Sequence, residues 1–249
     1  AHIDTVGEPA TYPQLVDLVQ GLADIPGVDV ISMQTNGVLL DERAVEELEA
    51  AGLARINLSI HALDPDLAKK LAGTENYDLE AVLSLAKAIT NSKIDLLIAP
   101  VWIPGMNDGE IPRLIEFAKS IGAGRRWPPL GIQKYLAHKR GRRPRGVMPM
   151  SWRAFYRALG ALEERYGIKL ILRPEDFGMF KTALLPSPFS PGEVVKVEIA
   201  APGWLKGEMT GVARGRAITL VRASGLEPGM KVLARVIRVK HTIYLAEPL

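Results

Sequence analysis

The chain begins with Ala1-His2-Ile3-Asp4-Thr5-Val6-Gly7-Glu8-Pro9-Ala10-Thr11-Tyr12-Pro13, a strand pattern that runs directly into a turn. Residues 3–6 predict a short strand, and the helix that follows is predicted from Pro13 to Leu22. Gly7 lets the backbone approach a ligand closely, and Glu8 places a carboxylate at the carboxyl end of the strand. In barrels of alternating strands and helices, ligands bind at that end. Gly-Glu-Pro is also an ordinary strand-to-helix turn. The strand and helix patterns in the rest of the sequence must therefore decide between a ligand-binding turn and a purely structural one.

Strand and helix patterns alternate through the first two thirds of the sequence. Apolar runs predict strands at 28–33, 55–60, 94–101, 130–135 and 169–172, and amphipathic runs predict helices at 42–51, 78–90, 111–121 and 151–166. Asp64-Pro65 opens a further helix as N-cap and first helical residue. Strands separated by helices of 10–15 residues are typical of a parallel sheet with right-handed crossovers. The sequence therefore predicts an α/β fold, a partial (β/α) barrel of parallel strands.

Polar residues cluster just after the predicted strands. They are Glu8, Thr35, Asn36, Ser59, His61, Asn107, Gln133 and Tyr135. The carboxyl ends of parallel strands meet at one rim of a barrel, so we expect these side chains to form a common site. His61 is suited by its position to acid–base catalysis, but a hydrogen-bonded structural histidine is an equal alternative.

The composition describes a globular protein without covalent cross-links. No run of about 18 apolar residues is present, so no membrane-spanning segment is predicted. The absence of cysteine excludes disulfides and thiolate metal sites within these residues, and it is compatible with a cytoplasmic location. Because the chain starts within a strand and lacks an initiating Met, we expect it to be a fragment that lacks an N-terminal piece; natural processing is the alternative.

Charge is segregated along the chain. Residues 117–162 contain 11 Lys and Arg residues and no acid, whereas residues 1–116 contain 7 basic and 19 acidic residues. Such a separation predicts that a polyanion binds the second half of the molecule.

The pattern changes after the Pro-rich segment 186–192. Five β-rich runs without helices follow, at 193–200, 207–213, 216–221, 231–239 and 242–246. About sixty residues in five short strands are typical of a small all-β barrel of the oligonucleotide-binding (OB) kind. The predicted domains are therefore residues 1–185, the partial barrel, and residues 186–249, the five-stranded barrel.

Several strand-end motifs resemble those of the radical S-adenosylmethionine (radical SAM) superfamily, nearest its molybdenum-cofactor-biosynthesis branch. Gly7-Glu8-Pro9 resembles the family's Gly-Gly-Glu motif, with Val6 replacing the first glycine. Thr35-Asn36-Gly37 and Asn57-Leu58-Ser59-Ile60-His61 resemble the motifs after the third and fourth strands, and Val101–Asn107 resembles the fifth-strand loop. The tail, 187–249, resembles a TRAM domain, an RNA-binding module.

The resemblance implies S-adenosylmethionine as a cofactor. It implies that Glu8, with Gly7 and Pro9, holds the methionyl ammonium by a charge-assisted hydrogen bond. Thr35, Asn36 and Ser59, with His61 beside them, would serve its carboxylate and ribose. Ile103 and Pro104 would form an apolar wall against adenine. An electron donor would then reduce a [4Fe–4S] cluster, and a 5′-deoxyadenosyl radical would take hydrogen from the substrate.

The cluster ligands are the main departure from the family. The superfamily binds its cluster with CxxxCxxC after the first strand, and this sequence contains no cysteine. We expect those cysteines upstream of residue 1, which leaves the chain as given unable to cleave S-adenosylmethionine. The alternative is a degenerate, non-catalytic relative.

Basic residues predict the RNA-binding surface. One set lies in and before the loop 138–145, which we place at the ligand-bearing rim, and comprises Arg125, Arg126, Lys139, Arg140, Arg142, Arg143 and Arg145. The other lies in the tail and comprises Lys206, Arg214 and Arg216, with Arg222, Arg235, Arg238 and Lys240 as further candidates. Trp204 and Tyr244 could stack on bases, although core packing is their default role. Met148, Met150, Trp152, Phe155 and Tyr156 are interpreted as packing residues of a helix.

The predicted function is radical modification of a structured RNA, with tRNA the preferred class and the tail delivering it to the barrel. Two alternatives remain open. The first is a non-catalytic RNA-binding protein on a degenerate barrel, and the second is a radical SAM enzyme acting on a peptide or small metabolite.

Overall fold

The computed structural model describes residues 1–4, 7–137, 143–180 and 186–249. The chain divides into two compact units, Ala1–Phe180 and Lys181–Leu249. Within the described residues no helix combines the length and the apolar character needed to span a membrane.

The first unit contains a parallel four-stranded sheet. Its strands are β1 (His2–Ile3), β2 (Ser32–Thr35), β3 (Arg55–Leu58) and β4 (Asp95–Ile98), and they lie in sequence order. A second, two-stranded parallel sheet pairs β5 (Val101–Trp102) with β6 (Gln133–Lys134). An isolated parallel bridge from Ile98 to Leu130 links the ends of the two sheets. The partial (β/α) architecture with parallel strands is confirmed.

Helices follow the strands as predicted, with boundaries that differ by a few residues. They are α1 (Leu15–Ala23), α2 (Glu42–Ala50), α3 (Pro65–Ala72), α4 (Leu79–Asn91), α5 (Glu110–Ser120) and α6 (Trp152–Tyr166). Side chains of Asp41, Asp64, Asp78 and Ser151 cap α2, α3, α4 and α6 by accepting from backbone amides of the first turn. Each cap satisfies an amide that has no partner within its helix.

The predicted strand 169–172 is wrong. These residues, all within the described part of the first unit, form no strand because a side chain takes the place of a neighbouring strand. Oε1 of Glu163 accepts from the backbone amides of Leu170 and Ile171, at 2.6 and 2.8 Å. A half-buried carboxylate therefore satisfies donors that a sheet would otherwise pair.

The two faces of the main sheet differ in polarity. Met33, Ile56, Leu58 and Ile98 are fully buried in the apolar core with the helices. The alternate positions of the same strands carry polar residues: His2, Ser32, Gln34, Arg55, Asn57 and Asp95. Because successive strand residues point to opposite faces, one face of the sheet is apolar and the other is polar.

The second unit is a closed antiparallel-dominated barrel, as expected of an OB-like fold. Its strands are β7 (Val194–Pro202), β8 (Met209–Ala213), β9 (Arg216–Leu220), β10 (Lys231–Lys240) and β11 (Ile243–Pro248), in the order β10-β11-β9-β8-β7. The barrel interior is packed closely at Gly211, where an added Cβ would lie 2.2 Å from Cγ1 of Val197. Phe189 and Tyr244 pack edge to face in its core.

Candidate functional site

The turn after β1 presents the carboxylate of Glu8 to the strand ends. Glu8 precedes a short 3-10 helix, Pro9–Thr11, and its Oε1 accepts from the amide of Ala10 at 3.1 Å. The same oxygen accepts from Oγ1 of Thr35 at 2.5 Å, and Oε2 accepts from the amide of Asn36 at 2.8 Å. The turn is thereby fixed to the end of β2.

Thr35 supports Glu8 and does not itself line a cavity. Its side chain is buried, and its hydroxyl, which donates to Glu8, also accepts from the amide of Gly37 at 3.0 Å. Gly37 has a φ of +78°, and an added Cβ would lie 2.7 Å from Cδ1 of Leu58. Only glycine therefore allows the chain to turn back over Thr35 at this point.

Ser59 and His61 follow β3 at the same rim. Nε2 of Gln34 donates to Oγ of Ser59 at 2.8 Å. Nδ1 of His61 accepts from the amide of Val101 at 3.1 Å, which places the ring proton on Nε2 when the imidazole is neutral. This contact is structural, as the second interpretation of His61 predicted.

Asn107 fixes the loop after β5 against His61. Its Nδ2 donates to the carbonyl oxygens of His61 and Val101, each at 2.9 Å, and its Oδ1 accepts from the amide of Ile103 at 2.7 Å. Three polar contacts of one buried side chain thus hold the Val101–Asn107 loop beside the end of β3.

A cavity of about 460 Å³ opens between these elements. Its polar lining is provided by Glu8, Asn36, Ser59 and His61, so four of the predicted site residues share one hollow. The remaining lining is mainly apolar and consists of Val38, Leu39, Ala68, Leu71, Ala72, Thr74 and Tyr77. Burial raises the pKa of the Tyr77 phenol.

A second cavity of about 730 Å³ adjoins the first, because His61 and Leu71 line both. Ile103 and Pro104 line this second cavity and not the first. Three cationic side chains also contribute to it, from Lys70, Arg143 and Arg145. The rim thus combines a hollow with a carboxylate and an adjoining hollow with positive charge.

The position predicted for Arg125 and Arg126 is wrong. Their backbone amides donate to the carboxylate of Asp95, at 2.9 and 2.7 Å. Asp95 is the first residue of β4, so both arginines lie at the amino ends of the strands, opposite the cavities. The loop before β6 joins the end of a helix to the start of a strand, and such loops lie on the face opposite the strands' carboxyl ends.

Other predicted RNA-binding residues fall in different settings. Lys139, Arg140 and Arg142 lie outside the described residues. In the second unit Arg214 forms an ion pair with Glu193 and donates to the carbonyl of Pro188. Tyr244 is buried, whereas Trp204 is 72% exposed and lies in a loop with Lys206. Arg216 donates only to a neighbouring carbonyl among its described contacts, at 3.4 Å.

Sequence reasoning missed three residues of the rim: Gln34, Lys70 and Tyr77. Gln34 lies inside β2, and the other two come from helix α3 and the segment after it. Only Gln34 carried a usable signal, because a polar residue within an apolar strand faces away from the core. The helix and loop positions depend on how α3 packs over the sheet.

Comparisons with known proteins bear on the first unit. The model of the radical SAM superfamily matches residues 2–118. An uncharacterised protein of Methanocaldococcus jannaschii is 42% identical over 267 residues, which cover 99% of this chain and 62% of that protein. The GTP 3′,8-cyclase of Crocosphaera subtropica is 39% identical over 116 residues, which cover 46% of this chain and 34% of that enzyme. The chain spans less than two thirds of the length of either relative.

A solved structure shows the same fold at low identity. A domain of pyruvate-formate lyase-activating enzyme from Bacteroides vulgatus superposes with a TM-score of 0.51 and 17% identity, over 68% of this chain and 96% of that one. The matched segment, 2–118, contains β1 to β5 and every residue of the Glu8 hollow. Residues 2–118 of this chain therefore match the model of the radical SAM superfamily, and GTP 3′,8-cyclases are among the proteins similar to this segment.

Proposed function

We propose that this chain forms the S-adenosylmethionine-binding and RNA-holding part of a radical SAM enzyme that modifies RNA, with tRNA as the preferred substrate class. The observation that carries the proposal is the convergence of Glu8, Asn36, Ser59 and His61 on one hollow beside a cationic one. A TRAM-like role of the five-stranded barrel in RNA binding is part of the same proposal.

The residues of the hollow fit S-adenosylmethionine. A carboxylate has about four acceptor positions, and the described contacts of Glu8 occupy three, from Ala10, Thr35 and Asn36. A position remains for the methionyl ammonium. Ser59 and Asn36 offer neutral polar groups for the carboxylate or the ribose, and Val38 and Leu39 give the hollow an apolar side.

Ile103 and Pro104 are assigned to adenine in this proposal. They lie in the adjoining cavity, on the other side of His61 and Leu71. Asn107 holds their loop, so it is a positioning residue for the adenine wall. A cofactor bound in this way extends from Glu8 across His61 towards the cationic side chains.

A [4Fe–4S] cluster does not fit the residues of this chain. The irons of such clusters in this family are held by cysteine thiolates, and the sequence has no cysteine. Among the residues that the structure describes, no group of three His, Asp or Glu side chains is arranged to hold a metal either. A cluster and an electron donor from outside residues 1–249 would have to supply the electron that cleaves S-adenosylmethionine into methionine and a carbon radical. The chain alone is expected to bind the cofactor without cleaving it.

Charge supports a polyanionic substrate. Lys70, Arg143 and Arg145 line the cavity next to His61, and residues 117–162 contain no acid. Positive side chains around a hollow raise the local concentration of phosphates and contact the backbone of a nucleic acid without regard to its sequence.

An exposed aromatic pair on α6 supports RNA in particular. The rings of Trp152 and Tyr156 stack with centroids 5.8 Å apart, and Nζ of Lys134 lies 4.9 Å from the Trp152 ring. Trp152 is 53% exposed and Tyr156 47%. Both rings also contact the ring of Phe155, the one buried aromatic residue of α6, so each packs on one side and is exposed on the other. An exposed ring beside a cation is a stacking surface for an unpaired base.

The cofactor half of the proposal is tested by calorimetric titration of the purified chain with S-adenosylmethionine. Binding is expected for the wild type and is expected to weaken by at least about tenfold in Glu8→Gln, because a charge-assisted hydrogen bond is lost. Glu46→Gln, on the exposed face of α2, is the matched control and is expected to bind normally. Equal binding by Glu8→Gln and the wild type would reject this site.

The RNA half is tested by binding of tRNA at several salt concentrations between about 50 and 200 mM, where phosphate contacts give a steep dependence. Affinity that is absent, or that does not fall with salt, contradicts it. Binding of S-adenosylmethionine is measured separately, so either half can fail alone.

A second candidate is a free purine nucleotide as substrate. The relatives named GTP 3′,8-cyclase, which match 46% of this chain in the case of Crocosphaera subtropica, favour it. Competition experiments separate the two candidates. If GTP displaces tRNA equally well from Arg143→Gln and from the wild type, GTP does not bind in the cationic cavity. If GTP binds tightly and tRNA does not bind, the nucleotide is selected as the substrate.

A further inference from the structure

A row of polar residues crosses the main sheet at the beginning of its strands. His2, Ser32, Arg55 and Asp95 are the first residues of β1, β2, β3 and β4, and they are register partners across three consecutive strand pairs. Nδ1 of His2 lies 2.8 Å from Oγ of Ser32. Because register partners in a parallel sheet share a face, the four side chains lie on the polar face of the sheet.

Arg55 is the buried cation of this row. Only 8% of the residue is exposed. Its guanidinium lies between two rings, 4.9 Å from the centroid of Trp127 and 4.8 Å from that of Phe177. Its Nε donates to Oδ1 of Asn57 at 3.0 Å. These contacts restrain the guanidinium, and its described hydrogen bond uses Nε and not the two terminal nitrogens.

The charge of Arg55 lacks a direct counter-ion. No carboxylate of the described residues lies within 4 Å of its guanidinium. The remaining residues, 5–6, 138–142 and 181–185, contain no Asp or Glu. Asp95 is near enough to raise the pKa of Arg55, but burial has the larger effect and lowers that pKa overall.

The carboxylate of Asp95 forms its hydrogen bonds with groups other than Arg55. Its two carboxylate oxygens accept from the backbone amides of Arg125, Arg126 and Trp127, at 2.9, 2.7 and 2.9 Å. The carboxylate therefore serves to hold the loop that carries Trp127. A buried arginine without its own carboxylate destabilises the fold unless another anion joins it.

A cavity of about 440 Å³ lies at this position. Its lining includes Arg55, Asn57, His2 and Ser32 on the polar side, and Val30, Phe177 and Met179 as an apolar wall. None of the described lining residues carries a carboxylate. The cavity opens at the amino ends of the strands, and Arg55 lies four residues, about 13 Å along β3, from Ser59 of the cofactor hollow.

We propose that this cavity binds the phosphate group of a small ligand, which pairs with the guanidinium edge of Arg55. A guanidinium can form two parallel hydrogen bonds with a phosphate, and the apolar residues beside Arg55 lower the local polarity and strengthen them. The site is separate from the hollow of Glu8 and does not depend on the proposed RNA substrate.

The alternative is that Arg55 only packs between its two rings. The two cases differ in what Arg55→Met does, because a methionine stem can occupy the space between the rings without charge. If Arg55 binds an anion, the Arg55→Met variant folds but is no longer stabilised by phosphate. If Arg55 serves packing alone, phosphate affects the wild type and the variant equally.

Inorganic phosphate is the probe, at constant ionic strength and pH. We expect the melting temperature of the full chain to rise with phosphate concentration as for a ligand that binds the folded state. Arg55→Met is expected to show less than about one fifth of that rise, and Arg43→Met, an arginine 83% exposed on α2, is expected to respond like the wild type. Acetate at the same concentration is expected to have a smaller effect.

A direct readout covers the case in which Arg55→Met fails to fold. In the wild type, the 15Nε–1Hε resonance of Arg55 is expected to shift on titration with phosphate and to saturate. Equal melting responses of wild type and Arg55→Met, a larger effect of acetate than of phosphate, or an Arg55 resonance that does not move would each overturn the proposal.

Discussion

The hydroxyl of Thr35 donates a 2.5 Å hydrogen bond to Oε1 of Glu8, 27 positions away in the sequence. Thr35 is 2% exposed and does not line the cavity, so any effect of this residue on the cofactor passes through Glu8. The carboxylate is thus held in one orientation by a strand end and by two backbone amides.

Thr35→Val removes the donor while keeping the volume of the side chain. We expect it to weaken S-adenosylmethionine binding by about 10- to 150-fold, since a hydrogen bond to a charged group contributes roughly 1.5–3 kcal/mol. Thr35→Ser keeps the hydroxyl and is expected to bind within about twofold of the wild type. Calorimetric titration checks both variants. If the Thr35→Val and Thr35→Ser variants bind S-adenosylmethionine equally well, Glu8 is positioned without the hydroxyl of Thr35.

Gly37→Ala should destabilise the first unit. The residue has a positive φ, and the new Cβ would meet Leu58 and Leu85 at 2.7 and 2.9 Å. We expect a loss of about 2–4 kcal/mol, from left-handed backbone strain and overpacking together. Urea unfolding followed by tryptophan fluorescence in a Trp204→Phe background reports on the first unit.

Gly105→Ala is the control for that experiment. Gly105 has a φ of +76° but nothing within 4 Å of an added Cβ. It therefore carries the backbone strain alone, about 1–2 kcal/mol. If Gly37→Ala and Gly105→Ala lower the free energy of unfolding equally, close packing at Gly37 contributes nothing to stability.

Asp95→Asn should loosen the loop at the amino ends of the strands. An asparagine has one acceptor oxygen in place of two, so one or two of the amides from Arg125, Arg126 and Trp127 lose their acceptor. We expect a loss of about 2–4 kcal/mol in the free energy of unfolding. Asp41→Asn, at the N-cap of α2, is expected to change it by less than about 0.5 kcal/mol because both residues cap well. If Asp95→Asn lowers the free energy of unfolding as little as Asp41→Asn does, this account is contradicted.

Trp152→Ala should weaken RNA binding with little effect on S-adenosylmethionine. The exposed ring stacks on Tyr156 beside Lys134, and loss of a base-stacking ring costs about 1–3 kcal/mol, or roughly 5- to 150-fold. Trp152→Phe retains a ring and is expected to restore most of the affinity. Binding of a single-stranded oligonucleotide, measured by fluorescence anisotropy, distinguishes the variants. Unchanged affinity in the alanine variant removes α6 from the proposed RNA surface.

Local sequence was sufficient for the elements of the fold. Helix starts at Asp41, Asp64, Asp78 and Ser151 were predictable because a cap involves a side chain and an amide three residues later. Parallel strands followed from the alternation of strands and helices, and the five-stranded barrel followed from short β-rich runs with glycines and prolines between them. The strand predicted at 169–172 was wrong because strand pairing is not a local property. An apolar run forms a strand only if a neighbouring strand pairs with it, and here the side chain of Glu163 accepts from the backbone amides instead.

The sequence by itself determined that polar residues follow the strands, and therefore that Glu8, Asn36, Ser59 and His61 reach one rim. Only the tertiary structure decided that Thr35 faces Glu8 instead of the cavity, that Arg125 and Arg126 lie at the opposite end, and that Arg55 is buried between two rings. Strand ends are set by local residue patterns, whereas register and ring contacts join residues 27 to 122 positions apart, for which a single sequence contains no signal.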